Sequence, residues 1–115
     1  MEKTDAVAAL AALAQDSRLD VYRLLVQAGR DGMPAGAVAD ALKLAPNTLT
    51  FHFDRLRVAG LVTVRRDGRS MIYAARYEAM NGLIAFLTES CCQGAPHAPV
   101  ADCKPARAKR AKVSA

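Results

Sequence analysis

No stretch of this 115-residue chain stays apolar long enough to cross a bilayer. The longest such run, Ala6–Ala14, has nine residues, where a spanning helix needs about 20. The first residues carry acidic side chains (Glu2, Asp5) and lack the basic-then-apolar order of a secretion signal. Both absences lead to the expectation of a cytoplasmic protein, whose thiols stay reduced. Histidine occurs only as His52 and His97, in unrelated contexts. Nowhere do a nucleophile, a base and an orienting group stand together, so an enzyme is not expected. Cysteine is missing from the first 90 residues, and basic side chains are missing from residues 77–103. The length supports one small domain, with an alanine-rich core that would gain stability by pairing.

What the chain does have is concentrated between Ala45 and Ala74. Ala45-Pro46-Asn47-Thr48 opens a helix, with Pro46 suited to its first turn, and Gly60 closes it. Leu61–Arg66 and Arg69–Ala74 are β-prone runs joined by the two residues Asp67-Gly68, a hairpin signal. Arg66 and Arg69 are then expected to face one another across the turn, with Arg65 beside them. Like charges directly opposite destabilise a sheet. Phosphates would neutralise the crowding; a charged edge that blocks aggregation is the other explanation.

Wound at about 100° per residue, Pro46–Ala59 gathers Leu49, Phe53 and Leu56 on a core face. Asn47, Phe51 and Arg55 fall opposite, with Thr48 and Thr50 on the flanks. An amide, hydroxyls, a guanidinium and a phenyl ring suit base edges: asparagine pairs with adenine, arginine with guanine, and an apolar group touches the thymine methyl. His52 lies near the border of the buried face and reads as structural or phosphate-contacting rather than metal-binding. The candidate DNA-binding residues are therefore Asn47, Thr48, Thr50, Phe51, His52 and Arg55 from the helix, and Arg65, Arg66 and Arg69 from the hairpin. Upstream, Met33–Leu42 reads as a short helix with Pro34 near its start and Val38, Ala41 and Leu42 on its buried side. Lys43-Leu44-Ala45 makes a tight turn into the next helix. Helix, turn, helix, hairpin is the order of a winged helix-turn-helix, mainly α with a two-stranded β-wing.

Charge agrees with this reading. Of a net charge of +5, residues 43–76 carry seven basic and two acidic side chains, while residues 1–42 carry four and six. The positive potential is thus concentrated in the proposed DNA-reading half. Two outer helices complete the domain: Thr4–Ala14, with Val7, Leu10, Ala11 and Ala14 on one face, and Tyr77–Ser90, with Met80, Leu83, Ile84 and Leu87. Tyr73 and Tyr77 read as core or interface residues.

Leu44-Ala45-Pro46-Asn47-Thr48-Leu49-Thr50-Phe51-His52-Phe53-Asp54-Arg55-Leu56, followed by Ala59-Gly60-Leu61-Val62, resembles the recognition helix of the ArsR/SmtB family of bacterial metal-responsive repressors. Asp16–Leu25 resembles that family's second helix, and the Arg65-Arg66-Asp67-Gly68-Arg69 wing fits it. The resemblance covers residues 4–90. It implies a homodimer formed through the terminal helices, with two recognition helices set in successive major grooves of a near-palindromic operator.

All three cysteines come late: Cys91-Cys92, then Cys103 eleven residues on. Three soft thiolates suit a three-coordinate thiophilic centre such as trivalent arsenic. Zinc prefers four ligands and paired C-x2-C spacings, with His97 the only nearby fourth. A redox switch pairing Cys103 with Cys91 or Cys92 is the rival. The resemblance narrows this choice. Arsenic sensors of the family that carry thiols in the first helix of the helix-turn-helix have no counterpart here, since Ala35–Ala39 lacks cysteine. The Asp and His pairs of zinc and cobalt sensors are missing from residues 77–90. A third variety has vicinal cysteines after the last helix and one more in the tail, and binds arsenite and often antimonite. The expectation is an arsenite-responsive repressor that releases operator DNA when Cys91, Cys92 and Cys103 capture the metalloid. A thiol-redox repressor, or a sensor of antimonite, cadmium or zinc, is the alternative. The expected division is a DNA-binding and dimerisation domain over residues 1–90, a cysteine segment over 91–103, and over 104–115 a basic tail with five basic residues that is expected to be disordered.

Overall fold

The computed structural model describes residues 1–90. Its first helix, α1 (Lys3–Leu13), is built on alanine. Ala6, Ala9 and Ala12 recur at helical spacing and are buried, so small side chains let the helix approach its neighbours closely. In α2 (Asp16–Ala28), the Gln15 side chain caps the first turn by accepting the Arg18 N–H at 2.9 Å. Val21, Tyr22 and Leu25 form its buried stripe. Arg18 Nε donates to the Ala12 carbonyl at 2.7 Å, tying the end of α1 to α2.

A two-residue strand, β1 (Met33–Pro34), precedes α3 (Ala35–Leu42). The expected helix from Met33 therefore starts two residues later. Pro34 has no N–H for an interior ladder, which suits a sheet edge, and its extended backbone caps α3. Val38 is fully buried, and Ala35, Ala39 and Leu42 pack half-buried beside it. Ala41, expected inside, is exposed because this narrow stripe already fills the inner face. α3 closes at Lys43, which adopts a left-handed φ of 56°, and the Leu44 N–H returns to the Ala39 carbonyl at 3.0 Å.

α4 (Pro46–Val58) begins with proline at its first position. It ends in the same kind of closure, with glycine at the left-handed position. Gly60 has φ 79°, the Leu61 N–H bonds the Leu56 carbonyl at 3.0 Å, and the Gly60 N–H bonds that of Arg57 at 2.9 Å. The apolar residues Leu56 and Leu61 that accompany such a cap are both buried.

Strands β2 (Val62–Asp67) and β3 (Ser70–Ala75) form the wing. With β1 they make an antiparallel three-stranded sheet in the order β1-β3-β2, one strand more than expected. Asp67 pairs with Ser70, so the hairpin loop is Gly68-Arg69 rather than Asp67-Gly68. A turn centred on Asp67-Gly68 asks for positive φ at both residues; among these two only Gly68 adopts it, at 64°. In the observed register Arg66 faces Met71 and Arg65 faces Ile72. The expected opposition of Arg66 and Arg69 does not occur.

The last helix, α5 (Tyr77–Leu87), is shorter than the expected span to Ser90. It buries Ala79 and Leu83 and packs against α1. Tyr77 Oη donates to the Val26 carbonyl at 2.7 Å. The Tyr73 ring stacks on Phe53, with centroids 3.7 Å apart and planes 5° from parallel, joining the wing to α4. Both tyrosines are thus structural, as expected. Among the described residues, no helix is long and apolar enough to cross a membrane.

Candidate DNA-binding surface

The core grips α4 by Leu49, Phe53 and Leu56, all buried, so the opposite face is turned outward. Asn47, Thr48, Thr50, Phe51 and Arg55 are all exposed there, as the helical spacing predicts. Phe51 leaves half of its surface open, 50%, in a position where no core contact accounts for an aromatic ring. The Arg55 guanidinium lies over that ring, 4.9 Å from its centroid. The contact was legible only as an i,i+4 spacing, which places two side chains on one helix ridge. Two residues on, Arg57 is held by Asp54 at 2.8 Å. Arg55 makes no ion pair among the described residues, so its charge is available. The Thr50 hydroxyl donates to the Pro46 carbonyl at 2.9 Å, which leaves its oxygen free only to accept.

His52 is not part of this surface. It is 5% exposed, on the inner side of α4, and its Nδ1 has no hydrogen-bond partner among the described residues. Its place near the border of the core face resolves inward because the neighbouring helices close over it. Burial, and then the Arg18 charge, hold its pKa below the ordinary 6.5. A neutral, enclosed imidazole neither neutralises nor reaches a phosphate.

Arg65, Arg66 and Arg69 are exposed around the wing tip. Arg66 Nε donates to the Gly68 carbonyl at 3.3 Å, bracing the turn. The register puts Arg69 in the loop itself, where it extends past the ends of both strands. Between α1 and α4 runs a groove of about 400 Å³ bounded by Ala8, Ala11, Phe51, Asp54, Arg55 and Val58. The helix face and the wing arginines thus make a polar ridge and a cationic arm, suited to base edges and to phosphates respectively.

Cys91, Cys92 and Cys103, proposed metalloid ligands, lie outside the described residues, as does the basic segment 104–115. Among the described residues, no group of three or more His, Cys, Asp or Glu side chains could hold a metal ion. A second apolar surface is left open on the outer helices. Val7 and Leu10 on α1 and Leu87 on α5 are 58%, 43% and 57% exposed, and Met80 and Ile84 on α5 are half-buried.

Residues 13–65 match a family model described as a helix-turn-helix domain. The chain is 31% identical over 87 residues to the HTH-type transcriptional regulator YgaV of Escherichia coli, covering 76% of this chain and 86% of that protein. The structure of HlyU from Vibrio cholerae superposes with a TM-score of 0.61 at 28% identity, covering 81% of this chain and all of that one. HlyU of that species is a transcriptional activator. The fold is shared with the homodimeric winged helix-turn-helix domain Mb0332 of Mycobacterium bovis, a possible ArsR-family regulator. There the TM-score is 0.62 at 22% identity, covering 83% and 88% of the two chains.

Proposed function

Since this chain belongs to the ArsR family of winged-helix, DNA-binding transcriptional regulators, we propose that it is an arsenite-responsive repressor acting as a homodimer. The free dimer binds a near-palindromic operator through α4 and the wing and blocks transcription. Trivalent arsenic, captured as a tris-thiolate by Cys91, Cys92 and Cys103, makes it let go. Antimonite, with the same preference for soft donors, is the expected second inducer.

One observation carries the metalloid reading: the only thiols of the chain begin four residues beyond the last residue of α5. Leu87 on that helix, like Val7 and Leu10 on α1, is left exposed. A dimer closed through these helices, as the terminal-helix pairing of the family implies, has its inducer ligands on the chain that leaves the interface. Three thiolates satisfy trivalent arsenic without a fourth ligand. Ligation lowers DNA affinity only if arsenite binds the free dimer better than the DNA-bound one. A coupling of about 1–3 kcal/mol, typical of allosteric proteins, corresponds to a loss of roughly 5- to 150-fold.

The test titrates reduced protein on promoter DNA with arsenite, zinc and hydrogen peroxide in parallel, alongside a Cys91→Ser/Cys92→Ser variant. Release by arsenite alone, lost in the variant while DNA binding is kept, supports the proposal. Release by peroxide in metal-free buffer, without response to arsenite, would replace it with a thiol-oxidation switch. Release of the double variant by arsenite would place the site elsewhere.

A further inference from the structure

Phe51 and Arg55 form a single reading unit on α4. The ring is half exposed, the guanidinium lies over it at 4.9 Å, and neither is held by the core. The ring quadrupole attracts a cation held over its face even at an exposed site. It biases Arg55 toward the ridge above Phe51 and away from either phosphate strand. The other helix arginine, Arg57, is occupied by Asp54, and Thr50 has spent its proton on Pro46.

Resting on the reading that α4 enters the major groove, we propose that this pair reads thymine and guanine on adjacent base pairs in each half-site. The phenyl edge packs on the thymine C5-methyl, and the guanidinium donates to O6 and N7 of guanine. Two heads 4.9 Å apart lie nearer one base-pair step of about 3.4 Å than two. Phe51 offers no hydrogen bond, so the methyl group is the only base feature in the major groove that distinguishes its preferred partner.

The experiment selects duplexes from a randomised pool with the full-length wild-type chain, then measures binding of wild type, Phe51→Ala and Arg55→Ala. Each is tested on the selected duplex, on one with the candidate thymine replaced by deoxyuridine, and on one with the candidate guanine replaced by 7-deazaguanine. Deoxyuridine lacks only the methyl and should weaken the wild type about fourfold, the worth of one buried carbon group. It should leave Phe51→Ala unaffected. Deazaguanine removes the N7 acceptor and keeps O6, so it should cost the wild type one of the two bonds, a weakening of at least about fivefold, and leave Arg55→Ala unaffected. Selected duplexes without adjacent thymine and guanine, or a Phe51→Ala loss equal on thymine and uracil, overturn the assignment while α4 remains the reading helix. Failure of the wild type to enrich any sequence would instead sink base reading by α4 altogether.

Discussion

If the chain pairs through its outer helices as proposed, replacing Val7 and Leu10 together with glutamate splits that dimer without unfolding the protomer. Both side chains point away from the buried Ala6, Ala9 and Ala12 stripe and keep 58% and 43% of their surface open, so the fully buried core is left intact. Burying a whole Val or Leu side chain contributes about 1.5–3 kcal/mol. With roughly half of each still exposed, covering it in a dimer adds about 1 kcal/mol apiece. Two residues on each of two protomers thus contribute about 4 kcal/mol, and losing them weakens association roughly a thousandfold. Carboxylates brought near their symmetry mates add repulsion in the same direction. Sedimentation equilibrium over a dilution series reads the dissociation constant, and far-UV circular dichroism checks that the helices persist. Met71→Glu, on the wing, serves as the matched control and should keep the parental mass. A double variant that is helical and as dimeric as the parent would refute pairing through the outer helices.

Two further outcomes follow from the core. Phe53→Ala removes the buried partner of the Tyr73 stack and should cost about 3–5 kcal/mol in urea unfolding; a loss below about 1 kcal/mol would mean that the wing is held to α4 by something else. His52, whose folded pKa is depressed by burial and by Arg18, takes up its proton more readily in the unfolded chain. Its contribution to stability is therefore complete above pH 6.5 and declines as the pH falls from there toward the folded value. His52→Leu should flatten that decline, and an unchanged slope between wild type and variant would show that other groups cause it.

Much of the reading half was legible because bulky and polar residues alternate on α4 with a helical period. Leu49, Phe53 and Leu56 could face only one way, and Asn47, Phe51 and Arg55 then had to face the other. The winged order followed from Pro46, Gly60 and the Asp-Gly dipeptide. What was not legible depended on partners distant in the chain. β1 is two residues long and has no period of its own; it becomes a strand only because Met33 and Pro34 meet Tyr73 and Ile72. The hairpin register slipped because Gly68 can serve as either central residue of a two-residue turn, and only backbone φ decides between them. His52 sat at the edge of a helical wheel, where the packing of other helices settles the side. On α1 the larger side chains, Val7 and Leu10, formed the expected stripe, yet the protomer buries the alanines. Small residues allow close helix approach, and the bulkier ones are left for a different surface.

That division of α1 bears on how an inducer held beyond α5 could reach DNA. α1 touches α2, α4 and α5, and Val7 and Leu10 on it stay exposed. A change in how α5 leaves the dimer interface therefore acts first on α1. The fully buried residues of α1 are alanines, with Leu13 packed half-buried at its end, so few long side chains interlock there and a small shift meets little steric resistance. At the far end Arg18 Nε anchors the Ala12 carbonyl, which resists such a shift and passes it on to α2. In a dimer, even a slight rotation of protomers about this contact alters the spacing of two recognition helices that must match successive grooves, one helical turn or about 34–36 Å apart. Contacts to a rigid, fixed-pitch ligand are lost in concert when their spacing changes, whereas wing contacts to phosphates lose little sequence information. The proposed switch should thus act on operator affinity far more than on binding to random DNA.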